Sequence, residues 1–313
     1  MIERDGAGGQ SSECVNPSEA TAYEVECPGP SDGAGAKSPS QCRMVMVPAK
    51  SLSNIWFFAL LGWVCVMSFA GLLGGAEFEP TDCWVAQTAR EMRDSGKWLI
   101  PVFSGETRMQ KSPGPYWAVM LAAWLRGTPI DEAAARAPNA IAGVIMVGVI
   151  FWLTRRIAGD RAAVFAGFAS SASVLLLYWT HRGASDFGLA TLITVSLAAL
   201  WVATADEKLG VKRGMLWVLG YFAAGLGMLY KMPMPLALIG LPAFVYILIT
   251  RRWSAFLSGW HLVGVFAFLL PWLPWAIAAM LSEPAALAKW KVEFLDRFTG
   301  DLPNVEGQRN LPW

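Results

Sequence analysis

Seven stretches of roughly twenty mostly apolar residues set the terms on which this chain can fold: about 54–75, 136–154, 161–179, 185–204, 214–230, 234–250 and 259–280. A helix needs about twenty such residues to cross the hydrocarbon core of a bilayer. Lipid offers the backbone no hydrogen-bond partner, so each stretch must be helical. The first, from Trp56 to Gly75, holds no ionisable residue other than Cys65. With 55% apolar and 16% charged residues, the chain is too apolar and too charge-poor for an ordinary soluble domain. Many tryptophans stand at the ends of the apolar runs (Trp56, Trp152, Trp179, Trp201, Trp217, Trp253, Trp272), where an indole prefers the headgroup level. The fold class that follows is an all-α polytopic membrane protein with about seven transmembrane helices.

Residues 1–52 are rich in Gly, Ser, Pro and acids and lack apolar periodicity, which predicts a disordered tail. The first apolar run lies too far from Met1 for a signal peptide and should remain as an anchor. The five cysteines (Cys14, Cys27, Cys42, Cys65, Cys83) show neither a metal spacing nor a disulfide framework. A net charge of +1 gives no nucleic-acid signal. Basic residues cluster before the first span (Lys37, Arg43, Lys50) and after the second (Arg155, Arg156, Arg161). They recur after the fourth (Lys208, Lys212, Arg213) and the sixth (Arg251, Arg252). If the spans alternate, all of these fall on one side, which is then cytoplasmic. The 76–135 loop, the turns near 180–185 and 230–234, and residues 281–313 share the opposite, extracytoplasmic face.

That long first loop concentrates the chemistry of the first half of the chain. Thr81–Ser95 reads as an amphipathic helix, with Trp84, Val85, Ala89 and Met92 on one side and Gln87, Arg90, Glu91 and Arg93 opposite. A second helix, about Tyr116–Leu125, is apolar but too short to span, so both are predicted to lie in the interface plane. Glu79 and Asp82 flank Pro80 and Thr81 at the entrance to the first helix. They suit a general base or a carboxylate that positions an acceptor hydroxyl or amine. Asp82 equally suits the positive end of the helix dipole. Gln110 and Lys111 precede a Gly114-Pro115-Tyr116-Trp117 turn, and the Lys111 ammonium could hold a lipid phosphate or snorkel among headgroups. Lys231 ends an apolar helix on the same face, ahead of Pro233 and Pro235, and carries the same two readings. Asp186 opens the fourth span just after His181, Arg182 and Ser185. It is a functional candidate as a membrane-edge carboxylate, or else a helix cap. Arg297 in FLDRFTG adds another basic group to this face, or a solvated loop charge.

Together these segments resemble the lipid-linked-sugar glycosyltransferases of the GT-C type, the aminoarabinose transferase and protein mannosyltransferase group. The resemblance runs through AREMRDSGKWLIPVFSGE, QKSPGPYW, ARAPNAIAGV, SDFGLATLITVSLAAL, AGLGMLYKMPMPLAL, ITRRW, LPW and RFTG. It implies an enzyme that takes a sugar from a polyprenyl-phosphate donor at the extracytoplasmic face and passes it to a lipid, protein or glycan acceptor. Asp82, with Glu79 in reserve, would serve the acceptor, while Lys111, Lys231 and Arg297 would hold the donor phosphate and Asp186 would line the site. The resemblance also implies further spans and a soluble portion beyond what residues 281–313 begin, so the chain looks like the N-terminal part of a larger enzyme. The family's Asp-Glu pair falls on Thr81 and Asp82, a frequent arginine falls on Trp84, and a glutamate and a histidine fall on Gln110 and Phe294. The last two are candidate metal ligands in relatives. A neutral amide and a phenyl ring suit a divalent cation poorly, so neither metal nor other cofactor is expected. A non-catalytic relative that binds polyprenyl phosphate is the alternative. A transporter fits less well, because the ionisable groups sit at span ends rather than at mid-span.

The orientation has a direct check. A cysteine introduced at Thr107 should react with a membrane-impermeant maleimide in intact cells, and one at Leu209 should react only after permeabilisation. The opposite pattern would overturn the arrangement.

Overall fold

The structure is a computed structural model that describes residues 23–26, 43–46, 54–72, 78–109, 111–205, 210–251, 253 and 258–292. Within the predicted tail, β1 (Tyr23–Glu26) pairs with β2 (Arg43–Met46) in antiparallel register, with Glu26 opposite Arg43. Tyr and Val suit strands. The rest of the tail expected over residues 1–52 lies outside the described residues.

The first span is α1 (Asn54–Phe69), extended by a 3-10 turn at Ala70–Leu72. Next comes the layer formed by the long first loop. Helix α2 (Pro80–Ser95) starts on a proline, whose missing N–H costs nothing at a first-turn position, and ends at Gly96, whose φ of 67° suits glycine. A short hairpin follows, β3 (Val102–Phe103) with β4 (Glu106–Thr107). Its tip is held by the Glu91 carboxylate, which accepts the Ser104 and Gly105 N–H groups at 3.0 and 3.2 Å. Helix α3 (Gly114–Arg126) then packs on α2 and on the start of α4 through Val85, Ala89, Met92, Tyr116, Val119 and Ile130. The predicted buried face of the loop helix is correct except at Trp84, which is half-exposed beneath the Arg108 guanidinium. Leu121, Trp124 and Leu125 project outward from α3, the side chains an interfacial helix would offer to lipid.

Helix α4 (Glu132–Ser171) is capped by Asp131, which accepts the Ala134 N–H at 2.8 Å and pairs with Arg126. Its regular dihedrals break at Gly159, where φ is 82°. The chain doubles back there, because Thr180 packs on Gly143 and Asn139 bonds the carbonyls of Arg182 and Ala184. One element therefore carries the second expected span and the start of the third. The third does not run unbroken over 161–179. Ser170 and Ser171 turn their hydroxyls onto the Gly167 and Phe168 carbonyls, competing with the helix ladder. Ser173 then caps a new short helix, α5 (Val174–Thr180).

Helices α6 (Ser185–Ala205), α7 (Val211–Lys231), α8 (Met234–Thr250) and α9 (Trp260–Ser282) match the remaining expected spans to within a few residues, and α10 (Ala286–Lys291) follows. Among the described residues, α4, α6 and α9 are long and apolar enough to cross a membrane, while the apolar helices at Ile55–Phe69 and Met234–Thr250 are shorter. Helix α7 lies between α6 and α9. It approaches them closely through glycines, as membrane helices do when no apolar driving force separates helix from lipid. Ser196 of α6 donates to the Gly220 carbonyl at 2.8 Å, and Gly225 lies against the Phe268 backbone of α9.

A Cβ at Gly225 would overlap the Phe268 carbonyl, which cannot swing away as a side chain could. Gly225→Val should therefore cost about 1–3 kcal/mol, the usual range for overpacking, and lower the unfolding temperature in detergent. Gly240→Ala, where an added Cβ meets no described neighbour, should leave it unchanged.

Candidate active site

The first turn of α2 brings two carboxylates to the outer end of the bundle. The Glu79 carbonyl accepts the N–H groups of Asp82 and Cys83, so the helix is wound from its first residues and turns Asp82 inward. Asp82 is 0% exposed, and its Oδ1 accepts the Gly183 N–H at 3.0 Å. Its Oδ2 lies 3.7 Å from Arg182 Nη1, and among the described residues neither atom has a hydrogen bond. Burial pushes the Asp82 carboxyl above the usual carboxylate range. The Gly183 N–H and the Arg182 and Arg136 guanidinium charges offset only part of that rise. Arg136, itself buried, stacks on Phe78 at 5.0 Å.

Glu79 is 45% exposed on its side chain and is the carboxylate that faces outward. Arg182 Nη2 meets its Oε1 at 2.6 Å, and the Tyr178 hydroxyl donates to both of its oxygens at 3.0 and 3.1 Å. The Arg182 guanidinium also lies 4.7 Å above the Tyr178 ring. A single guanidinium, 16% exposed, thus bridges both carboxylates.

A second charge pair stands at the other end of the same turn. Asp186, in the first turn of α6, meets Lys231, the last residue of α7, at 2.8 Å. Gly114 lets α3 join them: a Cβ there would come within 2.6 Å of the Leu229 carbonyl, so the N-terminus of α3 rests directly on the last turn of α7. That contact sets Lys111, just ahead of Gly114, at the same edge of the bundle. The residues between the two pairs, Gly183–Ser185, line a small void together with Pro115, Val119, Pro138, Asn139 and Tyr230.

The structure therefore joins Glu79 to Asp82 through Arg182, and Asp186 to Lys231, at the two ends of the turn between α5 and α6. Gln110, Arg297 and Phe294 lie outside the described residues. Arg182, Tyr178 and Asn139 are the parts that sequence reasoning missed. Arg182 and His181 were placed on this face without partners, since an arginine at a span end resembles any snorkelling cation. His181 instead ties this turn to α1, its Nε2 lying 2.8 Å from the Met67 carbonyl. Asn139 did carry a signal, a polar amide beside Pro138 in an otherwise apolar run. Among the described residues, no group of three or more His, Cys, Asp or Glu side chains could hold a metal ion.

Residues 110–277, more than half of the chain, match the family model described as dolichyl-phosphate-mannose-protein mannosyltransferase. The chain belongs to this family. Among curated proteins, it is 28% identical over 235 residues to the undecaprenyl phosphate-alpha-4-amino-4-deoxy-L-arabinose arabinosyl transferase of Edwardsiella ictaluri. That alignment covers 74% of this chain and 41% of the relative. It is 30% identical over 247 residues to the protein of the same name from Pseudomonas aeruginosa (strain UCBPP-PA14), covering 75% and 42%. Among solved structures, ArnT from Cupriavidus metallidurans bound to undecaprenyl phosphate superposes with a TM-score of 0.70 at 26% identity, over 78% of this chain and 44% of that one. Its apo form gives 0.69 at 27% identity, over 77% and 44%. The chain spans about two fifths of the length of the curated relatives it matches. The fold is that of a GT-C polytopic membrane protein, and the mannosyltransferase family sets the frame for its site.

The raised Asp82 carboxyl fixes the sign of one pH effect. The folded state holds this proton more tightly than the unfolded chain does, so the Asp82 contribution to stability is present below the ordinary value of 3.8 and is lost as pH rises through the raised one. The stability difference between wild type and Asp82→Asn should fall as pH rises across that window and then level off, as read by thermal unfolding in detergent. A difference that grows with pH would mean that Arg182 outweighs burial.

Proposed function

We propose that this chain works in a membrane glycosyltransferase that moves a sugar from a polyprenyl-phosphate donor to a lipid, protein or glycan acceptor at the extracytoplasmic face. One observation carries the reading: two carboxylate–cation pairs, Glu79–Arg182 and Asp186–Lys231, stand at the two ends of the 182–186 turn, at one edge of the bundle. Support comes from the relatives, whose names specify an undecaprenyl-phosphate-linked amino sugar, and from the ArnT structure described as bound to undecaprenyl phosphate. The reading places the enzyme in the inner membrane with a cytoplasmic N-terminus, as the basic loops suggest.

The chemistry is an inverting displacement. The acceptor hydroxyl or amine gives its proton to a carboxylate and forms a bond to the anomeric carbon. The bond from that carbon to the phosphate oxygen breaks, and the phosphate leaves with the electron pair. Sequence reasoning put Asp82 first as the acceptor's base and Glu79 in reserve. The burial of Asp82 favours the reverse order, with half-exposed Glu79 meeting the acceptor and Asp82 acting behind it. Lys231 and Lys111, joined by Arg297, would stabilise the charge that develops on the leaving phosphate, a preorganised electrostatic role. No step in this scheme needs a divalent metal.

The decisive experiment is a membrane assay with radiolabelled polyprenyl-phosphate sugars against lipid, protein and glycan acceptors, with and without chelator. Transfer that persists in chelator is expected. Donor-lipid binding without transfer would instead establish a non-catalytic member of the family. Lys231→Ala and Lys111→Ala should each weaken binding of undecaprenyl phosphate tenfold or more, since losing a charge-assisted contact costs about 1.5–3 kcal/mol. Unchanged affinity in both would leave these residues as snorkelling lysines.

A further inference from the structure

The backbone of three consecutive residues between α5 and α6, Arg182–Ala184, is gripped from two sides. Asn139, buried within α4, donates both amide hydrogens to the chain, one to the Arg182 carbonyl at 2.8 Å and one to the Ala184 carbonyl at 2.7 Å. Asp82, from α2, takes the Gly183 N–H between them at 3.0 Å. A side chain at Gly183 would crowd the Ala135 carbonyl of α4 at 3.3 Å, so this backbone lies directly on the helix that carries Asn139. Extended polar backbone at this depth must find partners, and these two side chains supply them. The consequence lies at the two ends of the turn. Arg182 is aimed back at Glu79, and Asp186 is aimed across at Lys231.

We propose that Asn139 and Asp82 are positioning residues that clamp the 182–186 turn and so set both charge pairs of the site. The proposal rests on the function proposed above for what the pairs hold, but the clamp itself is a statement about this chain alone. Other fixtures near the turn do different work. His181 bonds a carbonyl on α1, ahead of the clamped units, and the Tyr178 hydroxyl reaches Glu79 from α5. Neither touches the backbone of Gly183 or Ala184. An aliphatic side chain at 139 removes its half of the clamp without removing any charge, whereas one at 82 also removes the second carboxylate that Arg182 bridges, so Asn139→Leu carries the affinity comparison. An amide at 82 keeps an oxygen for the Gly183 N–H and should preserve it.

The test uses the full chain in detergent with two readouts. Hydrogen exchange of a peptide covering 181–187 reports the clamp, and titration with undecaprenyl phosphate reports what the pairs do. Asn139→Leu and Asp82→Leu should exchange at least tenfold faster in that peptide, with the rest of α6 unchanged, and should bind the lipid roughly tenfold more weakly, as the loss of one or two hydrogen bonds implies. Asp82→Asn should keep wild-type protection. In a Lys231→Ala background, Asn139→Leu should add little further loss of affinity, because both changes act through one pair. If Asn139→Leu does not fold, Asn139→Ser, which can keep one of the two bonds, carries the comparison. Faster exchange with wild-type affinity would overturn the positioning role and leave a merely structural contact. Wild-type protection in both leucine variants would overturn the clamp. A wild-type protein that binds no undecaprenyl phosphate would sink the proposed function, while the exchange arm would still decide whether the clamp exists.

Discussion

The burial of one carboxylate, that of Asp82, governs how the two layers of this protein meet. An ionised carboxylate removed from water costs several kcal/mol even after relaxation, so it must collect partners. Asp82 collects the Gly183 N–H and the nearby Arg182 and Arg136 charges, all of them far along the chain. Each of these partners belongs to a membrane helix or to the turn that joins two of them. Satisfying this one group therefore docks α2 onto α4 and onto the α5–α6 connection. His181 reaches α1 from the same connection. The apolar contacts beneath α2 and α3 are not directional and would tolerate sliding. The hydrogen bond from the Gly183 N–H to Asp82 would not.

The long first loop meets a related demand between Trp98 and Met109. An irregular segment laid on other helices buries backbone carbonyls that water can no longer reach. Tryptophans answer much of that need: the indoles of Trp117, Trp275 and Trp290 donate to the carbonyls of Trp98, Leu99 and Met109, each at 2.8 Å. An indole brings a large apolar body and a single donor, so it can pack against α9 or α10 and still complete the loop's bonding. Some of the tryptophan in this sequence thus has a use that its position near span ends conceals. These bonds fix the loop against α9 and α10, and Lys111 follows it just ahead of α3.

The spans were legible because the bilayer imposes one length and one kind of side chain, and the ends of α6, α8 and α9 fall close to the apolar runs. The break of the third span was not, since it turns on serine hydroxyls competing for carbonyls, a local effect that hydropathy does not register. The candidate site was legible as a set of residues on one face. Glu79, Asp82, Asp186 and Lys231 all appear there, but their pairing was hidden. Which carboxylate is buried depends on Gly183, about a hundred positions away, and nothing local distinguishes Asp82 from an ordinary helix-terminus acid. Arg182 was visible as a charge and invisible as a bridge. Asn139 was the most readable of the missed residues, because a buried amide in an apolar helix always needs partners.

The two charge pairs differ in a way that suits them to different work in the proposed reaction. Asp186 and Lys231 are each about half exposed, and an exposed pair of this kind contributes only about 0–1 kcal/mol. An arriving phosphate can therefore draw Lys231 away at little cost, and the flexible lysine stem can follow a group that changes position as its bond breaks. Arg182 is mostly buried, stacked on Tyr178 and shared between two carboxylates. Its planar fork is committed, and moving it would strand the buried Asp82 without its nearest counter-charge. The arginine thus holds Glu79 in place while the lysine remains free to engage a ligand. Arg182 and Asp186, the partners of that carboxylate and that ammonium, stand on one short turn, so its backbone sets the spacing of the two pairs.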